Sequence, residues 1–525
     1  MSRDTEQQQP PLKVGMISLG CAKNLVDAEV MMGALLKEGY EITNDNAVAD
    51  ALIVNTCSFI DAAQEESVDT ILESTEFRKH ANRGQALIVS GCLSQRYRKE
   101  LPKLMPEVDA FMGIDQVEQV GDIVRQAVGN RGSRLGQSEE KPDGDEAEAA
   151  ASPPGAPLID IHSRPDYIPV FETPRLRLTP DHFAYVKIAE GCNHPCSFCI
   201  IPRMRGSHRS RSQADIVREA RQLVADGVKE LNLISQDSTY YGLDLRPGHR
   251  SNISSPARFN EATSRLPEDA STLASLIREL NGIAGEFWIR VLYTHPAHWT
   301  DEIISAIAEC DKVVKYVDMP LQHIHDAMLE RMRRETGGQY IRDLIGRIRE
   351  GVPGIALRTT FIVGFPGETE EYFETLLEFM REVRFERLGI FAYSKEDGTK
   401  AGAMASQLSD GQKESRRKRA MEAQLQISRE LGADQLGQTK RVLVEKQSDT
   451  GEFQQEQMSS WEHGHIRSGE GDGSADLGPC LIARGEADAP DIDGRVLVRG
   501  ELPFGQFADV RITGHSDYDL IAEPI

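Results

Sequence analysis

The sequence is poor in the features that staple, span or export a chain. Only eight cysteines occur among 525 residues, too few for a disulfide scaffold. No apolar run reaches the roughly eighteen residues of a membrane-spanning helix, so no membrane partner is expected. The polar opening MSRDTEQQQPPLKVG holds no apolar signal segment, and the expected compartment is the cytoplasm. Positive charge is also short: 60 lysines and arginines stand against 83 acidic residues, a net charge of −23. That balance argues against broad binding to nucleic acid and permits steering toward a basic partner. The remaining composition, 39% hydrophobic and 27% charged, suits a globular chain too long for one core, of about three domains.

The cysteines are unevenly placed, with six of the eight at or before position 199. Cys192, Cys196 and Cys199 fall together in GCNHPCSFCIIP, in the spacing C-x3-C-x2-C. Such clustering reads as metal chemistry in a reducing compartment, because thiolates are soft ligands for zinc, copper or iron–sulfur groups. A structural zinc site takes four ligands, often with a second close pair, and no such pair exists here. Zinc completed by His194 or a remote ligand is one reading. Inert core thiols are another, poorly served by the polar neighbours Asn193, His194 and Ser197. Three thiolates on a cubane cluster would leave one iron open to hold a reacting molecule.

Residues 11–130 read as a mostly parallel α/β domain, with short buried strands at 12–18, 51–55 and 86–91 alternating with helical patterns. Each strand runs into a cysteine: Cys21, Cys57 and Cys92. Open α/β sheets bind ligands beyond the carboxyl ends of their strands, so the three could converge there as a second thiol site. Three unrelated small residues in strand–helix turns would give the same pattern. Residues 131–169, with SEEKPDGDEAEAAASPPGAP, read as an acidic flexible linker.

Residues 170–435 carry repeated strand–helix alternation with at least six strands, among them HFAYVKIAEGC, GVKELNLIS, FWIRVLYTHP and IALRTTFIVGFPGET. A partial (β/α)6 barrel fits, and a full eight-stranded one also accommodates the count. Gln236, Asp237, His295 and Gln322 gather at strand ends, where barrels place their chemistry. Arg203, Arg205, Arg209 and Arg211 form a basic patch, either a solvated loop or a rim that meets anionic groups. Ser212 is placed to cap a helix, and Cys310 reads as a packed residue. Residues 245–270 form a polar excursion longer than ordinary connections. Residues 436–525, with short alternating strands and glycine turns, predict a small antiparallel β-barrel interrupted by the polar stretch 452–476. Its Glu486, Asp488, Asp491, Asp493, Asp517 and Asp519 make it acidic, where an RNA-binding barrel would show basic and exposed aromatic residues. The charge favours a basic protein as partner.

These motifs carry a family resemblance over almost the whole chain. The C-x3-C-x2-C run, with Phe198 before its last cysteine, resembles the radical S-adenosylmethionine enzymes. MISLGCAKNLVDAE, NTCSFI and SGCLSQRY resemble the N-terminal domain of the methylthiotransferases within that superfamily, and the C-terminal strands resemble a TRAM domain. Asn24 and Asp27 in SLGCAKNLVDAE, and the ending GHSDYDLIAE, are similar to the branch that modifies a ribosomal protein rather than tRNA. The resemblance implies two 4Fe–4S clusters, one on Cys192, Cys196 and Cys199 and an auxiliary one on Cys21, Cys57 and Cys92. It implies S-adenosylmethionine as both radical source and methyl donor, with Phe198, Gln236, Arg290, Gln322, Gly364 and Gly367 as cofactor-pocket candidates. The glycines of GFPGET either admit a ligand close to the backbone or only make a tight turn before a helix. The implied substrate is an aspartate of the twelfth small-subunit ribosomal protein, free or in the subunit, converted to 3-methylthioaspartate with electrons from a donor protein. The alternatives are the same chemistry on a tRNA adenosine, which the charge disfavours, and a noncatalytic iron–sulfur scaffold.

Overall fold

The structure, a computed structural model, describes residues 10–137, 156–246, 255–267, 269–448 and 480–525. It divides into two units: Met1–Leu178 with Arg203–Gly206, and Thr179–Pro202 with Ser207–Ile525.

The first unit is built on a parallel sheet in the order β2-β1-β3-β4-β5-β6, from β1 (Lys13–Ser18), β2 (Glu41–Ile42), β3 (Ala51–Thr56), β4 (Ala86–Gly91), β5 (Ala110–Met112) and β6 (Leu158–Asp160). The central strands ALIVNT and ALIVSG are apolar along most of their length, and every residue of both is buried. That is the signature of strands covered on both faces. Helices α1 (Ala22–Lys37), α2 (Asp61–Ala81), α3 (Cys92–Arg96), α4 (Leu101–Leu104) and α5 (Val120–Gln137) connect them. Two apolar clusters cover the two faces, one including Met31, Leu35 and Val124, the other Ile71, Leu93 and Leu101.

The linker expected at 131–169 is shorter than its composition suggests. Helix α5 continues to Gln137, and residues 158–160 form a strand paired in register with β5, Ala110 opposite Leu158. Only 138–155, the acidic alanine-rich part, lies outside the described residues. The unit also runs on to Leu178 because Glu29, fully buried on α1, binds that stretch. Its carboxylate accepts from the Arg175 guanidinium at 2.6 Å and from the Leu178 N–H at 2.7 Å.

The second unit has six parallel strands: β7 (Phe183–Lys187), β10 (Glu230–Ile234) and β11 (Trp288–Val291) in one sheet, β12 (Tyr316–Asp318), β13 (Ala356–Val363) and β14 (Arg387–Ala392) in another, joined by a bridge between Ile289 and Val313. This is the expected (β/α)6 arrangement. A two-strand ladder of β8 (Ala189–Glu190) and β9 (Arg209–Ser210) flanks the cysteine loop, which leads into α6 (Ile201–Met204). The amphipathic helices α7 (Gln213–Ala225), α9 (Leu273–Asn281), α10 (Asp301–Glu309), α12 (Gly338–Gly351) and α13 (Glu370–Val383) bury their apolar stripes in one core with the strands. Ser212 caps α7 as expected, accepting from the Asp215 N–H at 3.2 Å, and Cys310 packs in that core. The excursion at 245–270 is not all loop. It contains α8 (Pro256–Thr263), whose Phe259 is buried with Tyr240 and Leu243.

After α11 (Asp326–Met332) and the connecting helix α14 (Asp410–Ala433), the chain closes a barrel in the order β15-β16-β17-β19-β18. Its strands are β15 (Thr439–Ser448), β16 (Cys480–Gly485), β17 (Val496–Val498), β18 (Phe507–His515) and β19 (Leu520–Pro524). It is antiparallel except where β17 and β19 run parallel. The expected insertion at 452–476 lies outside the described residues.

Four of the six acidic residues named for this barrel are turned inward, while Asp491 is exposed and Glu486 partly so. Asp488 pairs with Arg387, and Asp493 accepts from the Tyr316 hydroxyl at 2.7 Å and lies 3.4 Å from Arg358. Asp517 pairs with Arg429 at 2.7 Å, and Asp519 accepts from the Arg495 N–H at 2.8 Å. Asp488, Asp517 and Asp519 are buried and the Asp493 side chain is closed off, as carboxylates with partners inside the protein can be. The charge argument for a basic partner therefore loses these residues, and the substrate question passes to other observations.

Candidate metal centres

In the first unit the sheet register does the assembling. Thr56 at the end of β3 lies opposite Gly91 at the end of β4, and Ser18 opposite Asn55, so the three chains leave the sheet side by side. Cys57 and Cys92 follow directly, and Cys21 caps the start of α1. Gly20 makes room for the closest approach: at φ +85° it turns the chain left-handed, and a Cβ there would meet Cys57 Cβ at 2.6 Å and Sγ at 2.9 Å. The Asn24 side chain donates to the Leu19 carbonyl at 2.6 Å, and Asn55 donates to the Asn24 carbonyl at 2.8 Å, locking the first cysteine turn to β3. Burial pushes the Cys92 thiol up, and Arg205 acts against that. Arg205, itself buried, donates to Cys92 Sγ at 3.4 Å and to Asp27 Oδ2 at 2.9 Å. The basic patch is thus not one feature: its Arg205 belongs to the first thiol site.

In the second unit one loop carries all three sulfurs. Cys199 N–H donates to the Cys196 carbonyl at 3.3 Å, and Ser197 is tied at both ends, its N–H to the Met332 carbonyl at 3.0 Å and its hydroxyl to the Arg331 carbonyl at 2.7 Å. Each cysteine residue keeps part of its surface open. Burial nevertheless pushes the Cys192 thiol well above its usual range and Cys199 up to about 12, with the neighbouring thiols adding to both. Such sulfurs become thiolates only when a metal draws the proton off. All six cysteines are free. Among the described residues, neither trio brings its three sulfurs within 4.8 Å of one another. Thiolates on one zinc at about 2.3 Å would crowd closer than that. Three soft thiolate donors in each set, with no fourth cysteine beside them, fit an iron–sulfur group.

Around the loop lies a buried polar network that sequence reading only partly found. Asp237, just past β10, meets His194 Nε2 at 2.8 Å and His298 Nδ1 at 2.7 Å. Burial alone would raise the Asp237 pKa, but the two imidazoles overcome it and hold the carboxyl ionised. Burial lowers His194 to about 4, so it is a neutral donor. His295 stacks on His194 with centroids 3.6 Å apart and planes 15° from parallel, and Phe259 of the excursion stacks on His298 at 4.3 Å. A metal lies in the plane of each imidazole that binds it, so the two stacked rings cannot share one ion. His194, tied to Asp237, braces the cysteine loop. Arg334, 5% exposed, donates to Cys196 Sγ at 3.6 Å and to the Pro320 carbonyl at 2.6 Å. His298 and Arg334 were not singled out from sequence, because isolated polar residues after a strand or helix read as surface.

The other pocket candidates separate into groups. Gln236 donates to Glu190, the residue before Gly191-Cys192, and its buried Oε1 has no partner. Gln322 takes φ +72°, a strained value for a non-glycine residue, and bridges to Phe361 by backbone. Phe198 packs beside Phe365, Tyr393 and Met332. Gly364 and Gly367 face the protein itself: a Cβ would meet Lys413 Cγ at 2.5 Å and the Arg331 guanidinium at 2.8 Å, respectively. Their turn is closed by Glu368, which accepts from the Gly364 N–H at 2.6 Å, and Thr369 caps α13. Arg290 goes elsewhere. Fully buried, it donates to Glu230 at the start of β10 at 2.7 Å and to the Glu486 carbonyl of the terminal barrel at 2.6 Å. It is a tie between barrels, not a group at the strand ends that hold the cysteine loop.

The sequence matches three family models: "Uncharacterized protein family UPF0004" over residues 13–113, the "Radical SAM superfamily" over 186–380 and the "TRAM domain" over 472–525. Its relatives include the ribosomal protein uS12 methylthiotransferase RimO of Opitutus terrae, 50% identical over 98% of this chain and 97% of that protein. That of Akkermansia muciniphila is 48% identical over 98% of this chain and 100% of its own, and that of Geotalea uraniireducens 42% identical over 97% and 98%. The chain belongs to the RimO family. As a member it is a radical S-adenosylmethionine methylthiotransferase that uses iron–sulfur chemistry. The RimO relatives span the chain, so the family assignment covers the thiol sites of both units. Among the described residues no helix is long and apolar enough to cross a membrane.

Proposed function

We propose that this chain methylthiolates an aspartate of ribosomal protein uS12, giving 3-methylthioaspartate, and that it does so with two 4Fe–4S clusters. The observation that carries the reading is the pair of free thiol trios, one at the strand ends of the first unit and one in a single loop of the second, in a chain that belongs to the RimO family. Cys192, Cys196 and Cys199 would hold the cluster that binds S-adenosylmethionine, and Cys21, Cys57 and Cys92 the auxiliary one. When bound, the first group with its cofactor supplies a carbon radical able to take hydrogen from an unactivated carbon, and the second supplies sulfur for the new bond. The protein's own part is to hold and shield. Ser197, bonded to Arg331, and His194, bonded to Asp237, fix the cysteine loop. Gln236, with an unpartnered buried oxygen, and Gln322 are the best candidates for the polar groups of the cofactor, and Phe198 for an apolar wall. Gly364 and Gly367 would act by shaping the turn behind that wall.

Mass spectrometry of uS12 after incubation with reconstituted enzyme tests this. An added methylthio group on one aspartate is expected. Methylthiolated tRNA adenosine beside unmodified uS12 would refute it, and failure to cleave S-adenosylmethionine on reduction would point to a scaffold.

A further inference from the structure

Buried arginines in the second unit follow a rule. Arg211 pairs with Glu219, Arg290 and Arg484 with Glu230, Arg358 with Asp318 and Arg416 with Glu368. Each desolvated cation faces a carboxylate, as a buried charge requires. Arg334 is the exception. It is 5% exposed, its Nε has no partner, and among the described residues no carboxylate pairs with it. Its neutral contact, the Pro320 carbonyl at 2.6 Å, fixes one arm of the fork. The other arm points at Cys196 Sγ at 3.6 Å.

We propose that Arg334 is the counter-charge of the anionic iron–sulfur group held by Cys192, Cys196 and Cys199, donating to Cys196 Sγ and favouring the reduced state of that group. The proposal rests on the cluster assignment made above. Three thiolates make the bound group negative, and reduction adds one electron from an external low-potential donor. A fixed guanidinium at a coordinating sulfur stabilises the added charge more than it stabilises the oxidised form, because Coulomb attraction grows with the charge on the cluster. Arg334 is in this sense a positioning residue that also sets a potential.

The test is a dithionite titration of the full-length reconstituted protein followed by electron paramagnetic resonance. The signal lost in Cys196→Ala marks the central group. In Arg334→Gln that signal is expected to shift at least tenfold against reduction, about 59 mV for one electron. Arg334→Lys, which keeps the charge, should shift it less. An unchanged midpoint in Arg334→Gln at wild-type iron and sulfide content overturns the proposal. If Arg334→Gln takes up no iron, the lysine variant decides: a loaded lysine variant supports a counter-charge, and failure of both to load overturns it. If Cys196→Ala removes no signal from the wild-type spectrum, the cluster assignment itself has failed, whatever the arginine variants do.

Discussion

Arg205 donates to Cys92 Sγ at 3.4 Å in the first unit, and Arg334 to Cys196 Sγ at 3.6 Å in the second. The local contact is the same, but the surroundings differ. Arg205 is balanced by Asp27 at 2.9 Å, so its charge is settled within the chain whether or not a metal group is bound. Arg334 has no such partner. The trios differ in construction as well. The first is gathered from three strand ends held in register, and the second is one short loop braced by Asp237, His194 and Ser197. At the sheet edge of the first unit the buried Arg205 is neutralised by Asp27. A loop contiguous in sequence can leave one charge open for the group it will bind.

The comparison can be broken at several points. The largest effect is expected from Cys196→Ala, which should abolish methylthiolation while leaving the iron of the first unit in place; iron and sulfide analysis that shows both groups gone would mean the two sites do not load independently. Next are the two arginines in the metal-free protein. Arg205→Gln removes the guanidinium that pairs with the buried Asp27 carboxylate at 2.9 Å and should cost about 3–5 kcal/mol. Arg334→Gln strands no carboxylate, only the Pro320 carbonyl, and removes a desolvated cation, so it should cost much less than Arg205→Gln. Equal losses in thermal unfolding would erase the proposed difference between the sites. Adding Asp27→Asn to Arg205→Gln should recover most of the loss.

The terminal barrel serves as a reference in which buried carboxylates such as Glu445 are paired within the chain. Burial would raise the Glu445 pKa, but Arg484 and His182 hold it down to about 2. A depressed carboxylate pKa stabilises the fold above the unfolded value, near 4.5, and that contribution is lost as pH falls toward 2. The shift corresponds to about 3 kcal/mol. Glu445→Gln should remove it at pH 7 and flatten the acid limb of the unfolding curve; an acid limb of unchanged steepness would show that other groups set it. The smallest effect is expected from Gly20→Ala, where left-handed backbone costs about 1–3 kcal/mol. Because the new Cβ would press on Cys57, iron in the first unit should fall more than global stability does. A parallel fall in both would remove the special role given to that turn.

The readable parts of the sequence were those where neighbours in the chain are neighbours in space. The C-x3-C-x2-C loop, the Ser212 cap and the alternation of buried strands with amphipathic helices could be read directly, because local spacing alone determines them. Cys21, Cys57 and Cys92 were legible as three strand ends, and their meeting depended on parallel register between β1, β3 and β4. Charge was the least legible property. Arg290 looked like a pocket residue and is a tie to the terminal barrel. Asp488 and Asp493 looked like an outward acidic face and are turned inward against Arg387, Tyr316 and Arg358. Composition counts charges without saying which are desolvated, and desolvation decides what a charge does.

The sequence by itself thus determined which six sulfurs could hold metal and what order of strands and helices would carry them. Tertiary structure alone decided which charges surround them. Asp27 meets Arg205 from 178 residues away in sequence, and among the described residues Arg334 meets no carboxylate. A side chain's electrostatic role follows from what is packed against it once water has been removed, and no local spacing encodes that.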